Sequence, residues 1–192
     1  MTTIDSPTFT PDDVLRLEEQ RLYELVDGHL VEMPMSELAN ETAGLICAAL
    51  VMHARPGNLG RVLPEQTFKC FPHEPDRIRR PDVAFIAAGR ASDQRHTGHI
   101  PVAPDLAVEV ISPNDLAYEL DEKINDYRLA GVKLVWQVNP ELRTIKVHRV
   151  DGTITWLFEL DTLTGETVLP SFSAKVADLL PTAVTRSAPS AP

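Results

Sequence analysis

The segment from Leu106 to Val138 limits the folds open to this chain more than any other. It opens on LAVEVI, in which every residue but Glu109 is apolar, the pattern of a strand covered on both faces. It closes on a second apolar run, KLVWQV. Between them lies SPNDLAYELDEKINDYRLAGV, the best helical pattern in the chain. Ser112 is placed to cap that helix, Pro113 suits its first turn, and Asp115 completes a capping-box-like arrangement. Leu116, Leu120, Ile124 and Tyr127 fall on one face, and Gly131 is a C′ stop. A strand–helix–strand unit predicts an α/β (α+β) fold, a mixed sheet flanked by helices. If the two strands are parallel neighbours, the crossover should be right-handed.

The flanking sequence supplies the other elements. In TPDDVLRLEEQ, Thr10 and Pro11 mark the start of a short N-terminal helix. YELVDGHLVEMP reads as a β-hairpin turning at Asp27-Gly28. ELANETAGLICAALVMHARP reads as a helix through about His53, ended by Pro56-Gly57. GRVLPEQTFKCF and RRPDVAFIAA look like strands, as do TIKVHRV and TITWLFEL, which join at Asp151-Gly152. Trp136 and Trp156 sit in strand patterns and are expected in the core. AKVADLL is expected to be helical, and TAVTRSAPSAP predicts a disordered tail over 182–192. With a flexible start over 1–9, residues 10–181 are expected to form a single domain.

Composition narrows the function classes. No apolar run approaches the roughly 18 residues of a membrane span, and the polar first residues do not resemble a signal peptide. Cys47 and Cys70 form no CxxC pair, so both are expected to be plain thiols of a cytoplasmic protein. The net charge of −10, from 18 basic and 28 acidic side chains, argues against charge-driven nucleic-acid binding. It leaves a nucleic-acid enzyme open, because bound cations can offset a cluster of carboxylates. The six histidines show no zinc spacing, and His96 and His99 read as polar loop residues.

A carboxylate inside an apolar strand needs a partner or a metal. Asp82, in RRPDVAFI, precedes another apolar strand 27 residues before Glu109. Two acids from neighbouring strands suit a hard cation such as Mg²⁺, which takes oxygen ligands and can generate hydroxide beside a scissile phosphate. Lys123 is the candidate cation. Glu109 lies three residues, roughly 10 Å, before Ser112 along the strand. A helix returning over the sheet brings Lys123 back by roughly 15 Å. Its side chain leans toward the helix N-terminus, which puts the ammonium near the level of Glu109. The plainer readings are a Glu109 ion pair with Arg79 or Arg80, an Asp82 cap, a solvated Lys123–Glu119 pair and an exposed Glu24 at the hairpin.

Five segments together resemble the Uma2 family, a bacterial group within the restriction-endonuclease-like, PD-(D/E)xK superfamily. They are YELVDGHLVEMP (23–34), RRPDVAFI (79–86), APDLAVEVISP (103–113), DEKINDYRLAGVKLVWQVNP (121–140) and LPSFSAKVADLL (169–180), in the family's order and spacing. The resemblance implies a metal-dependent endonuclease that hydrolyses DNA with Mg²⁺, Mn²⁺ being an alternative. Asp82 matches the Asp of the PD motif, Glu109 the acid of the next motif, and Lys123 a helical Lys. Position 111, where the superfamily places its Lys, is Ile111, so Lys123 would be the relocated equivalent. Glu24 would be an additional metal ligand beside Asp82 and Glu109. Asn40 stands where family members often carry His. The resemblance also implies a homodimer. The alternative is a catalytically inactive nuclease-fold module acting in interaction or regulation.

Overall fold

The strand–helix–strand unit lies at the centre of the sheet. The structure, a computed structural model, describes residues 8–19, 23–32, 36–90 and 97–182. His96 and most of the expected tail lie outside the described residues. The elements are α1 (Pro11–Arg16), β1 (Tyr23–Val26), β2 (His29–Glu32), α2 (Glu37–Ala54), β3 (Gly60–Pro64), β4 (Val83–Ala87), β5 (Leu106–Val110), α3 (Ala117–Leu129), β6 (Leu134–Asn139), β7 (Thr144–Arg149), β8 (Ile154–Phe158), β9 (Thr162–Thr164) and β10 (Ser173–Lys175). A 3₁₀ turn, Val176–Leu179, follows β10.

Strands β3 to β8 form one six-stranded sheet in chain order. Only β5 and β6 pair in parallel, as the long helical crossover between them requires. The other neighbours are antiparallel. One face of the sheet packs Val83, Phe85, Leu106 and Val108 against Ile46 and Leu50 of α2. The other packs Ala84, Ile86, Ala107 and Val135 with Tyr127 of α3. Covered on both sides, β5 is buried throughout, which accounts for its continuous apolar run.

The N-terminal elements follow their local signals. Thr10 and Asp13 form a capping box on α1. The β1–β2 hairpin turns through Asp27 and Gly28, both at positive φ (51° and 77°), as a two-residue turn of this type demands. Ser36 caps α2 through its side chain.

Four expectations change. Helix α3 begins at Ala117, not beside Pro113. The Ser112 N–H does donate to Asp115 Oδ2 (2.7 Å), but Leu116 is extended (ψ 131°) and separates that turn from the helix. The strand from GRVLP stops at Pro64, which lacks a ladder donor; beyond it, Phe68 makes only isolated bridges to Arg79 and Ile100. AKVADLL is a strand end plus a 3₁₀ turn, whose buried Val176 and Leu179 are three residues apart, the repeat of that tighter helix. Trp136 is fully buried as expected, but Trp156 is 51% exposed because β8 is an edge strand.

Candidate active site

The register of β4 and β5 sets the geometry. Val83 lies opposite Val108. One step beyond, Asp82 comes opposite Glu109, and directly opposed residues in an antiparallel pair project from the same face. Asp82 Oδ2 accepts the Val110 N–H at 2.7 Å, which fixes the carboxylate against the end of β5. The two acids therefore share one side of the sheet, and both line a cavity of about 90 Å³. Glu24 of β1, Lys123 of α3 and Asn40 of α2 line the same cavity.

Lys123 is the centre of the arrangement. It is 6% exposed, and its Nζ lies 2.9 Å from Glu24 Oε1 and 2.8 Å from Glu109 Oε2. The pair with Glu119 is not formed; Lys123 turns inward instead. The other oxygen of Glu109 accepts the Tyr127 hydroxyl at 2.7 Å. Glu24, read from sequence as an exposed hairpin acid at least as readily as a ligand, is 1% exposed. It accepts the Arg80 backbone N–H at 2.7 Å and Arg79 Nη1 at 3.2 Å. Arg79 thus neutralises Glu24 and Asp126, not Glu109.

Behind the cavity runs a second layer of charge. Asp126 accepts from Arg77 Nη1 at 2.9 Å and from Arg79 Nε at 2.7 Å. Arg77 also reaches Glu122 at 2.8 Å and Asp27 of the hairpin turn at 2.6 Å. Helix α3 therefore docks on the sheet through Lys123, Asp126 and Tyr127, its buried residues. Of the apolar stripe read from sequence, Leu116 is half exposed, and Leu116 and Leu120 line the cavity. The sequence reading missed the hydroxyl of Tyr127 and the hub at Asp126. Tyr127 is four residues from Lys123, on the same helical face, and that spacing was the available signal.

Burial pushes the Glu109 carboxyl up to about 8, with Asp82 and Glu24 adding repulsion that Lys123 offsets only in part. Burial raises Asp82 as well, against the pull of Lys123 and the Val110 N–H. Glu24 goes the other way. Burial alone would raise it, but Lys123, Arg79 and the Arg80 N–H together hold it below the usual carboxylate range. Despite burial, the three acids raise Lys123, so it stays an ammonium. Acids in one pocket with proton affinities pushed apart occur both in functional sites and in buried ion-pair networks.

Three carboxylates from separate strand segments, opening into one cavity large enough for a hydrated ion, suit a hard divalent cation in donor type. Among the described residues, no three His, Cys, Asp or Glu side chains already close on a common point as a metal site. Lys123 bridges Glu24 and Glu109 and supplies the positive charge there. Asp82 has no cationic partner within salt-bridge distance among the described residues and is the acid most open to a ligand.

A restriction-endonuclease-like core, with an acid before one strand, an acid within the next and a buried lysine beside them, defines this chain as a member of a nuclease class. The family model Uma2, described as "Putative restriction endonuclease", matches residues 11–179, and the chain belongs to that family. Its fold is similar to a crystal structure described as "a putative nuclease belonging to DUF820 from Anabaena variabilis ATCC 29413". That match has a TM-score of 0.75 at 19% identity, covering 89% of this chain and 97% of the other. A comparison with curated proteins finds no match.

Proposed function

We propose that the chain is a Mg²⁺-dependent endonuclease that hydrolyses phosphodiester bonds in DNA, with Mn²⁺ accepted in place of Mg²⁺. The observation that carries this reading is the meeting of Lys123 with acids of two distant segments, Glu24 and Glu109, in a cavity that Asp82 also lines. Asp82, Glu109 and Glu24 would hold the cation, which would activate a water and offset charge on the phosphate. Glu109, with its raised proton affinity, can take up a proton or release it to the cavity. Tyr127 fixes the orientation of that carboxylate by donating to Oε1. The Lys123 ammonium is placed to stabilise negative charge developing on a phosphate oxygen. No helix among the described residues is long and apolar enough to cross a membrane.

A plasmid-nicking assay tests the proposal. Mg²⁺ should be required, and Asp82→Ala, Glu109→Ala and Lys123→Ala should each remove cleavage. Activity that survives all three would refute the site. The second reading, an inactive module of the same fold, is favoured by the closed Glu24–Lys123–Glu109 bridge, which satisfies its charges internally. Under that reading, Mg²⁺ and Mn²⁺ at millimolar concentration would leave thermal stability unchanged.

A further inference from the structure

Helix α3 packs Tyr127 over β5 and β6 and leaves the same face of β8 open. Three residues of β8 on that face, Ile154, Trp156 and Phe158, are between 51% and 57% exposed. Between Ile154 and α3 runs a groove of about 300 Å³. Asn125 and Arg128 of α3 line one side of it, and His148 and Ile154 line the sheet side. Two aromatic rings held open beside such a groove mark a contact surface.

The charges there are unlike those of the chain as a whole. Lys146 lies opposite Trp156 in the register of β7 and β8, with its Nζ 4.7 Å from the centroid of the indole. It covers one face of that ring and leaves the other to solvent. Arg128 is braced by Asn125 Oδ1 at 2.9 Å. Neither Lys146 nor Arg128 has an acid within salt-bridge distance among the described residues, although acids outnumber bases in the chain by 28 to 18. Arg149, also on the groove, is already held by Glu166 at 2.7 Å, and Asp121 is the acid that lines it. An apolar partner would bury two cations without counter-charge, at a cost that a partner carrying phosphates does not meet. A duplex would bring phosphates, but its bases hide their faces against one another. Open aromatic faces beside uncompensated cations fit a strand whose bases are unpaired.

We propose that this surface docks single-stranded DNA, with bases stacked on Trp156 and Phe158 and phosphates against Lys146 and Arg128. The two rings are 6.4 Å apart and tilted by 42°, so each offers its own face and the pair takes two bases rather than clamping one. Stacking does not depend on the net charge of the protein, which suits an acidic chain. The surface is also in line with the cavity. Pairing runs in one row across the sheet, from Glu109 to Gln137 to Lys146 to Trp156, and the four project from one face. Trp156 thus lies three strand spacings, about 14 Å, from Glu109. Helix α3 stands between them, with Lys123 toward the cavity and Arg128 toward the groove. A single strand reaches both by rounding the N-terminal end of α3. The preferred substrate is then DNA with an unpaired segment, such as a flap, gap or tail. The identity of the polymer rests on the nuclease reading; the stacking contact does not.

Fluorescence anisotropy of the full chain with a labelled strand of about 16 thymidines tests it. EDTA in the buffer prevents cleavage, so the two readings fail separately. Binding without any Mg²⁺-dependent cutting in a parallel assay would sink the nuclease reading alone. Trp156→Ala should raise Kd at least about fivefold while keeping the native circular dichroism. Lys146→Gln should lower the slope of log affinity against log salt by about 0.7, the share of one phosphate contact on a single strand. The wild type also carries its own probe. Of its two tryptophans, Trp136 is fully buried, so the strand should quench emission from Trp156. No binding at submillimolar protein would overturn the proposal, as would a Kd that neither substitution moves. So would a blunt duplex of the same length bound as tightly as the single strand, or an RNA strand bound at least about tenfold more tightly than the DNA. Self-association of the chain that Trp156→Ala disperses would give the stripe to protein and overturn it as well.

Discussion

Replacing Lys123 with Met removes one charge, keeps most of the side-chain volume, leaves buried Glu109 without a cation and takes one of two cations from Glu24. The ammonium lies 2.8 Å from Glu109 and 2.9 Å from Glu24, and all three side chains are at most 7% exposed. Removing one partner from a buried ion pair costs about 3–5 kcal/mol, because the remaining charge is left without compensation. For a chain of this size, about 2–4 °C per kcal/mol converts that to a fall in Tm of roughly 6–20 °C. The loss should depend on pH. With its affinity at about 8, Glu109 takes up a proton as pH falls and then no longer needs the ammonium. Lys123→Met should therefore cost more at pH 8.5 than at pH 5.5. Adding Glu109→Gln to Lys123→Met should return much of the lost stability, since the acid that has no other cation is then neutral, while Glu24 keeps Arg79. Under the nuclease reading, Mn²⁺ should stabilise Lys123→Met more than wild type, because the cation replaces the missing charge. Differential scanning fluorimetry over pH and Mn²⁺ concentration measures all of these. A Tm for Lys123→Met within 2 °C of wild type at pH 8.5 would show that Lys123 does not compensate the buried acids, and the account of the cavity would fail.

Tyr127→Phe removes the 2.7 Å hydrogen bond to Glu109 from a fully buried site. It should cost about 1–3 kcal/mol in urea unfolding and slow plasmid nicking with the fold intact. Asp126→Ala leaves Arg77 and Arg79 without their shared acceptor. It should cost about 3–5 kcal/mol, seen as a lower urea midpoint with an unchanged m-value. In wild type, the raised carboxyl of Glu109 makes the native state hold a proton that the unfolded chain releases. That contribution to stability is fully present below about 4.5 and is lost as pH climbs through about 8. Metal binding needs the ionised form, so Mn²⁺ affinity measured by calorimetry should rise over the same interval, and Glu109→Gln should flatten that rise.

The parts of the fold readable from sequence are those with a strong local period or an obligatory turn. The apolar run of β5, the Asp27-Gly28 hairpin and the Thr10 cap each carry their cause within a few residues. Glu109 was legible because it breaks the pattern around it. Lys123 was legible through chain geometry together with the family's motifs. The start of α3 was not, because Leu116 is held extended where local capping chemistry favours a helix. Trp156 was misplaced because period-two alternation identifies a strand without telling an edge from the interior. The Arg79–Glu24 bond joins residues 55 apart in the chain, and no local spacing announces such a partner.

The manner in which α3 is held has a thermal consequence. Helix α2 rests on its face of the sheet through aliphatic and aromatic contact, whereas α3 adds to the apolar seat of Tyr127 a buried charge network of Arg77, Arg79 and Asp126. The penalty for keeping ions away from water shrinks on warming, while the gain per unit of hidden hydrocarbon levels off. The two sides of the molecule should therefore soften in order, with α2 loosening first and the helix that carries Lys123 staying in place closest to the melting point.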